Sequence, residues 1–371
     1  MYIAVLINNK GEIAMNEWTK DDSWCTTGNS FEELQRVLRK IDEVTTRKYA
    51  HLKEIDLYTL HEGRYYGHSN GDFVEQPEGI KASTIMYYND KLHDVSQRVI
   101  FSLAARVELI GRSLTIPSWK RDEYIVELCK KSKDEVAVIE RAGKVFGVFS
   151  DKYAYIPQEN LLGILTEACG LFGEINISFY IDQDMTCIYT EFSEKADRIA
   201  CSYDLSDDAI PGLYITTSDT ADSAVRIQEY WKIGSARVLG KKVSRKHIGS
   251  ADVENLIEDM KHKIFSNYEY VPQRLSELSE IEIDDKAIDF EYILKKYKIE
   301  ELLGKKRTKD LIPQIEMEIY GKKTAYDVVI SLLTLGERLV GELSQLQKEL
   351  IQERLYDILE YDFSSSRLVL T

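Results

Sequence analysis

The chain predicts an α+β protein with a mostly antiparallel central sheet and packed helices, a small N-terminal α+β unit and a long C-terminal helix. Three observations lead there. Apolar residues recur at helical spacing in the first 50 and the last 120 residues. Between them, short runs of β-branched and aromatic residues are separated by turn-forming clusters, which is the signature of hairpins. Finally, strand and helix patterns fall in blocks rather than in strict alternation, which favours α+β over a parallel doubly wound sheet. With 371 residues, six prolines and 20 glycines, the chain is long enough for two or three domains and has no disordered or fibrous composition. The boundaries are expected near 115 and 250, giving units 1–115, 116–250 and 251–371.

Taken in order, Met1–Ile7 and Glu12–Trp18 flank the turn Asn8-Asn9-Lys10-Gly11 as a hairpin. Ser30 with Glu33 has capping-box spacing and opens a helix whose apolar face is Phe31, Leu34, Val37, Leu38, Ile41 and Val44. Strand-like Tyr, Leu and Phe with Gly63, Gly67 and Gly71 fill 54–76, and 83–110 is expected to be mainly helical. Pro117 and Ser118-Trp119-Lys120-Arg121-Asp122 are expected as a boundary, followed by a strand-rich region. There Val136–Glu140 and Val145–Phe149 form a hairpin, a helix covers about 158–169, and Ile175–Ile181 pairs with Thr186–Phe192. Leu213–Thr217 and Ala224–Ile233 are further strands. Behind Ser250 as N-cap, Val253, Leu256, Ile257, Met260 and Ile264 recur as a helix. Thr324 and Asp327 cap the last helix, whose stripe Leu332, Leu335, Leu339, Leu343, Leu346, Leu350, Leu355 and Ile358 implies a rod of roughly 50 Å at 1.5 Å per residue. Gly336 and Gly341 interrupt it. Such a stripe is either core or a seam against a second copy of the chain.

Composition narrows the function. No apolar run approaches the ~20 residues of a membrane span, and the first residues lack a signal-peptide pattern, so a cytoplasmic protein is expected. Five cysteines, Cys25, Cys129, Cys169, Cys187 and Cys201, come no closer than 14 residues, which excludes a zinc knuckle and a dense disulfide framework. Walker, HExxH, GxSxG and GxGxxG patterns are absent. Gly304-Lys305-Lys306-Arg307-Thr308 lacks the upstream glycine of a phosphate loop. His61 and His68 are spaced so that a turn between them aims both rings at one ion, but no further ligands are suggested. An exposed, Tyr-lined hairpin is the expectation there. Neither a metal nor any other cofactor is predicted.

Charge patterning supplies the candidate site. The chain carries 63 acidic and 48 basic residues, a net −15, which repels nucleic acid at long range. Against that background, Lys232, Arg237, Lys241, Lys242, Arg245 and Lys246, with His247, form a stretch free of acids. Tyr230 and Trp231 beside it are expected as stacking faces, so the segment is a candidate contact for single- or double-stranded nucleic acid, cations on phosphates and rings on bases. The competing reading is a solvated loop that pairs with the preceding acidic stretch, Asp204, Asp207, Asp208, Asp219 and Asp222. Asp219 and Asp222 also offer oxygens to Mg²⁺, although a Ser- and Asp-rich turn wants such side chains for its own backbone.

Gly143-Lys144-Val145-Phe146-Gly147-Val148-Phe149-Ser150-Asp151-Lys152-Tyr153 with Ile156-Pro157-Gln158-Glu159-Asn160, and later Tyr214-Ile215-Thr216-Thr217-Ser218-Asp219-Thr220-Ala221-Asp222-Ser223-Ala224-Val225-Arg226-Ile227, resemble two blocks of a phage- and plasmid-encoded family, domain of unknown function 932. The likeness spans about residues 135–265. It departs after the second block, where the family has a Cys-Asn pair and this chain has Trp231-Lys232-Ile233-Gly234. That family has no settled biochemistry, so the resemblance implies a mobile-element origin and assigns no residue a role. Three functions follow as expectations: a phage- or plasmid-type accessory protein that binds nucleic acid without catalysis, an oligomeric structural or assembly protein of a phage using its C-terminal helix, or a metal-dependent enzyme on nucleic acid using Asp219 and Asp222. Imitation of nucleic acid or sequestration of a host factor would be a further use of an acidic, Tyr-rich surface.

Overall fold

A computed structural model describes residues 25–363 apart from 79, 81, 110–115, 183–184, 204–208, 219–223, 247–252, 284–287, 322–323, 341–342 and 344. The expected hairpin over 1–18, the Ser250 cap, Asp204, Asp207, Asp208, Asp219, Asp222 and His247 lie outside the described residues. Within them the class is α+β, with three antiparallel sheets.

The chain enters through β1 (Thr26–Gly28) and α1 (Phe31–Val44). The Ser30 hydroxyl accepts the Glu33 amide at 3.1 Å, and the predicted face buries Leu34, Leu38 and Ile41. Next come β2 (Thr45–His51), β3 (Asp56–His61), β4 (Arg64–Gly67), β5 (Phe73–Glu75), β6 (Thr84–Tyr88), β7 (Lys91–Asp94), α2 (Gln97–Arg106) and α3 (Ser118–Lys131). The helix expected over 83–110 is thus half strand. Asn89 and Asp90 both adopt positive φ, 51° and 60°, which makes a tight hairpin turn between β6 and β7, and helix begins only at Gln97. Pro117 opens α3 rather than a linker, because a missing N–H costs nothing at a helix start.

The hairpin over 135–150 forms as predicted, β8 (Glu135–Arg141) and β9 (Lys144–Ser150), with Ala142 and Gly143 at φ 50° and 82° in its turn. Then follow α4 (Asn160–Phe172), β10 (Asn176–Ile181), β11 (Thr186–Glu191), α5 (Ser193–Tyr203), β12 (Ala209–Thr217), β13 (Val225–Ile233) and β14 (Ala236–Arg245). Helices complete the chain: α6 (Val253–Lys263), α7 (Tyr270–Ser279), α8 (Phe290–Lys296), α9 (Ile299–Leu303), α10 (Lys305–Ile319), α11 (Ala325–Val340) and α12 (Gln345–Ile358). A 3-10 turn, Phe265–Asn267, links α6 to α7.

The largest sheet runs β1-β10-β11-β12-β13-β14; the others run β2-β8-β9 and β5-β4-β3-β6-β7. Core packing groups the chain differently from the boundaries expected at 115 and 250. One core joins Leu34, Leu38 and Ile41 of α1 to residues from 156 through 363, while a second uses side chains between Ala50 and Val148 alone. Residues 45–150 therefore sit as an inserted unit between α1 and the structure α1 packs on. Sequence windows cannot register this, since β2 pairs with β8 across some 90 residues.

The single long C-terminal helix is corrected to two. Thr324 caps α11 as expected, its hydroxyl accepting the Asp327 amide at 3.3 Å, but the helix ends at Val340 and α12 folds back on it. A Cβ on Gly336 would lie 2.6 Å from the Leu355 side chain, so the glycine that interrupts the stripe lets the two helices approach. Leu332, Leu335, Leu355 and Ile358 are buried in this chain's own core, and Leu343 packs partly against it. No helix among the described residues is long and apolar enough to cross a membrane. Because Leu355 is 2% exposed, Leu355→Ala should cost about 2–5 kcal/mol and lower the melting temperature with no change of mass in solution. A smaller mass with an unchanged melting temperature would instead make the stripe an intermolecular seam.

Candidate nucleic-acid interface

The acid-free segment is strand, not loop. Val225–Ile233 and Ala236–Arg245 form the β13–β14 hairpin, turning at Gly234 with φ 57° and Ser235. Lys232 pairs with Arg237 and Gln228 with Lys242, but Tyr230 pairs with Leu239. One extra β14 residue is therefore accommodated, and Gly240 and Lys241 together oppose Glu229. Such a bulge twists the hairpin and re-aims the side chains beyond it.

Glu229 is fully buried and has no cation as partner among the described residues. Its carboxylate accepts from the Trp231 indole N–H at 2.8 Å, the Lys241 amide at 3.1 Å, the Asn267 side-chain amide at 3.2 Å and the Tyr356 hydroxyl at 3.3 Å. Burial raises its pKa, and these four donors oppose the rise. A Cβ at position 240 would meet the Glu229 carboxylate at 2.6 Å and the Tyr356 ring at 2.6 Å, so this bulge requires glycine for space rather than for φ.

That arrangement overturns one assignment. Trp231 is fully buried, edge-on to Tyr268 at 5.7 Å, with its only donor on Glu229; Tyr230 is buried too. Neither ring is a stacking face. Composition ranked them by adjacency to the cations, whereas strand alternation sends neighbours to opposite faces and both faces of β13 are covered.

The same alternation divides the cations. Lys232 lies 3.6 Å from Glu191 of β11, and Arg237, half-buried, stands over the Tyr189 ring at 5.4 Å. Lys242 binds Glu353 of α12 at 3.0 Å. These three belong to the sheet face that α12 partly covers, and the aromatic partner of Arg237 is Tyr189 of β11, three strands away in the sheet and invisible to a local reading. Arg245 instead meets Asp259 of α6 at 2.7 Å, and Lys263 reaches the same carboxylate at 3.0 Å. Lys241 donates to Asn267 at 2.7 Å, a neutral partner. Lys246 is exposed and makes no ion pair among the described residues. Among the described residues, the acids that pair with the segment are thus Glu191, Glu353 and Asp259.

What persists is a strip along the last turns of β14 and α6, where Lys241, Arg245, Lys246, His262 and Lys263 are exposed. Two cations share one carboxylate there. Beside it, a cleft of ≈ 410 Å³ is lined by Lys241, Lys242, Tyr270, Glu353, Arg354 and Tyr356. Its cations and carboxylates are interleaved, unlike a phosphate groove, so the strip and not the cleft suits a polyanion. No cluster of three potential metal ligands occurs among the described residues. His61 and His68 do share a focus, but it is a ring: both lie 5.0 Å from Trp119.

The raised pKa of Glu229 gives a signed expectation. The native state holds this proton more tightly than the unfolded chain, so ionising Glu229 costs stability as pH rises above the ordinary carboxylate range. Wild type should therefore gain stability relative to Glu229→Gln as pH falls from 7 to 5, measured by denaturant titration. A difference independent of pH would show that Glu229 is ionised in the folded protein throughout this range, and that burial does not hold its proton. No family model matches the chain, and no curated protein or solved structure matches it.

Proposed function

We propose that this is a non-catalytic accessory protein of the phage or plasmid type that binds nucleic acid, acting in the cytoplasm of the host cell, with the β14–α6 strip on the phosphate backbone. The observation that carries the reading is the sharing of Asp259 by Arg245 and Lys263. One carboxylate neutralises one of two cations, and Lys241 and Lys246 add positive charge with no acidic partner among the described residues. In a chain of net charge −15, this supports a polyanion contact at the strip, beside the hairpin whose buried Glu229 accepts the Lys241 amide. Phosphate contacts of this kind hold a strand without reading its sequence.

Replacing Lys241, Arg245, Lys246 and Lys263 together by Ala should weaken binding of a labelled oligonucleotide at 50 mM salt at least tenfold. The log–log salt slope should become shallower by about 3, since each lost phosphate contact removes about 0.7–0.9. The pair Lys232→Ala and Arg237→Ala, already engaged with Glu191 and Tyr189, should change little. Wild-type affinity in the quadruple variant, or no binding by wild type at low salt, would refute the assignment.

A further inference from the structure

We propose that a second, aromatic face on the inserted unit holds unpaired bases of a single-stranded nucleic acid; this rests on the nucleic-acid reading above but on different residues.

Register builds the face. In the five-stranded sheet, His61 opposes Arg64, Thr59 opposes Tyr66, and Tyr66 in turn opposes Phe73. His61, Arg64, Tyr66 and Phe73 therefore project from one side. Trp119 joins them from the first turn of α3. Its indole stacks on Tyr66 at 4.9 Å with 27° between the planes, and Tyr66 meets Phe73 at 5.2 Å. His61 and His68 flank the indole. The result is a chain of rings, Phe73 to Tyr66 to Trp119 to His61, whose ends are exposed; Phe73 is 46% exposed.

Two features separate this from a surface that merely closes a core. First, it is held from behind. The His68 Nε2–H donates to Thr59 at 2.8 Å, the Thr59 hydroxyl donates to Asp122 at 2.9 Å, and Asp122 is fully buried and also accepts from Thr84 and Arg121. Burial lowers the His68 pKa, so that ring stays neutral and packs against the indole without an unpaired charge. Second, it carries a cation, which stands opposite Glu75 in register. Arg64 is exposed, lies 4.8 Å over the Phe73 ring and makes no ion pair among the described residues. Flat faces accept any base, and a guanidinium at their edge suits the phosphate that follows it. A duplex conceals its base faces, so this surface discriminates single strand from double.

Titration of the full-length protein with a thymidine oligonucleotide, and separately with a duplex of equal length, tests this by tryptophan fluorescence and anisotropy. Single strand should quench the emission, and the quench should vanish in Trp119→Phe. Phe73→Ala and Arg64→Gln, both at exposed positions, should weaken single-strand binding about tenfold and leave duplex binding unchanged. Thermal melting verifies that each variant is folded. If these variants bind single strand normally while the β14–α6 variant loses it, the aromatic face is excluded and the strip stands. If only the aromatic variants lose binding, the strip is excluded and this face stands. Absence of binding to either probe overturns both.

Discussion

The β13–β14 hairpin depends on one buried carboxylate. Glu229 sits in the core of the largest sheet without a counter-cation among the described residues, a placement tolerated because donors from four segments converge on it. Satisfying it sets the rest. The Lys241 amide must face inward, so β14 bulges at Gly240; the indole of Trp231 must turn into the core; and Asn267 and Tyr356 must arrive from the 3-10 turn and from α12. The exposed side chain of Lys241, and with it the start of the basic strip, follows from a backbone amide committed to the interior.

The seam between α12 and the sheet follows the same logic. Glu349 accepts from the Tyr214 hydroxyl at 2.6 Å and from Arg226 at 3.0 Å, and Glu353 accepts from Gln228 and Lys242. Buried ion pairs contribute little net stability, since desolvation offsets the attraction, but removing one partner is expensive. Apolar contacts of Leu355 and Ile358 hold α12 on the core; the polar side of the same helix decides which strands it lies across. A leucine stripe that looks like an oligomer seam is in this way absorbed by its own chain.

Charge on this protein is informative only when placed. Six cations in sixteen residues look like one patch, yet strand alternation and the bulge distribute them over two faces and an edge. Three are held by Glu191, Tyr189 and Glu353. Of this segment, the cations at the end of β14, beside the end of α6, are the ones left for a partner among the described residues.

Much was legible in the sequence because it depends on neighbours a few residues away. Ser30 and Thr324 cap helices through backbone amides three residues on, and the turn at Ala142-Gly143 needs only local φ. The α+β class and most strands of the central sheet followed from period-two patterning. Tertiary structure alone decided the inserted arrangement of residues 45–150, the fold-back of α12 and the fate of Trp231. It also decided the gathering of Tyr66, Phe73, Trp119 and His61, whose closest sequence signal was the spacing of His61 and His68. These depend on which distant surfaces bury against one another, as β2 does on β8 or α3 on β3, and on the satisfaction of a buried group such as Glu229. Periodicity marks which residues seek burial; it carries no information on which partner supplies it.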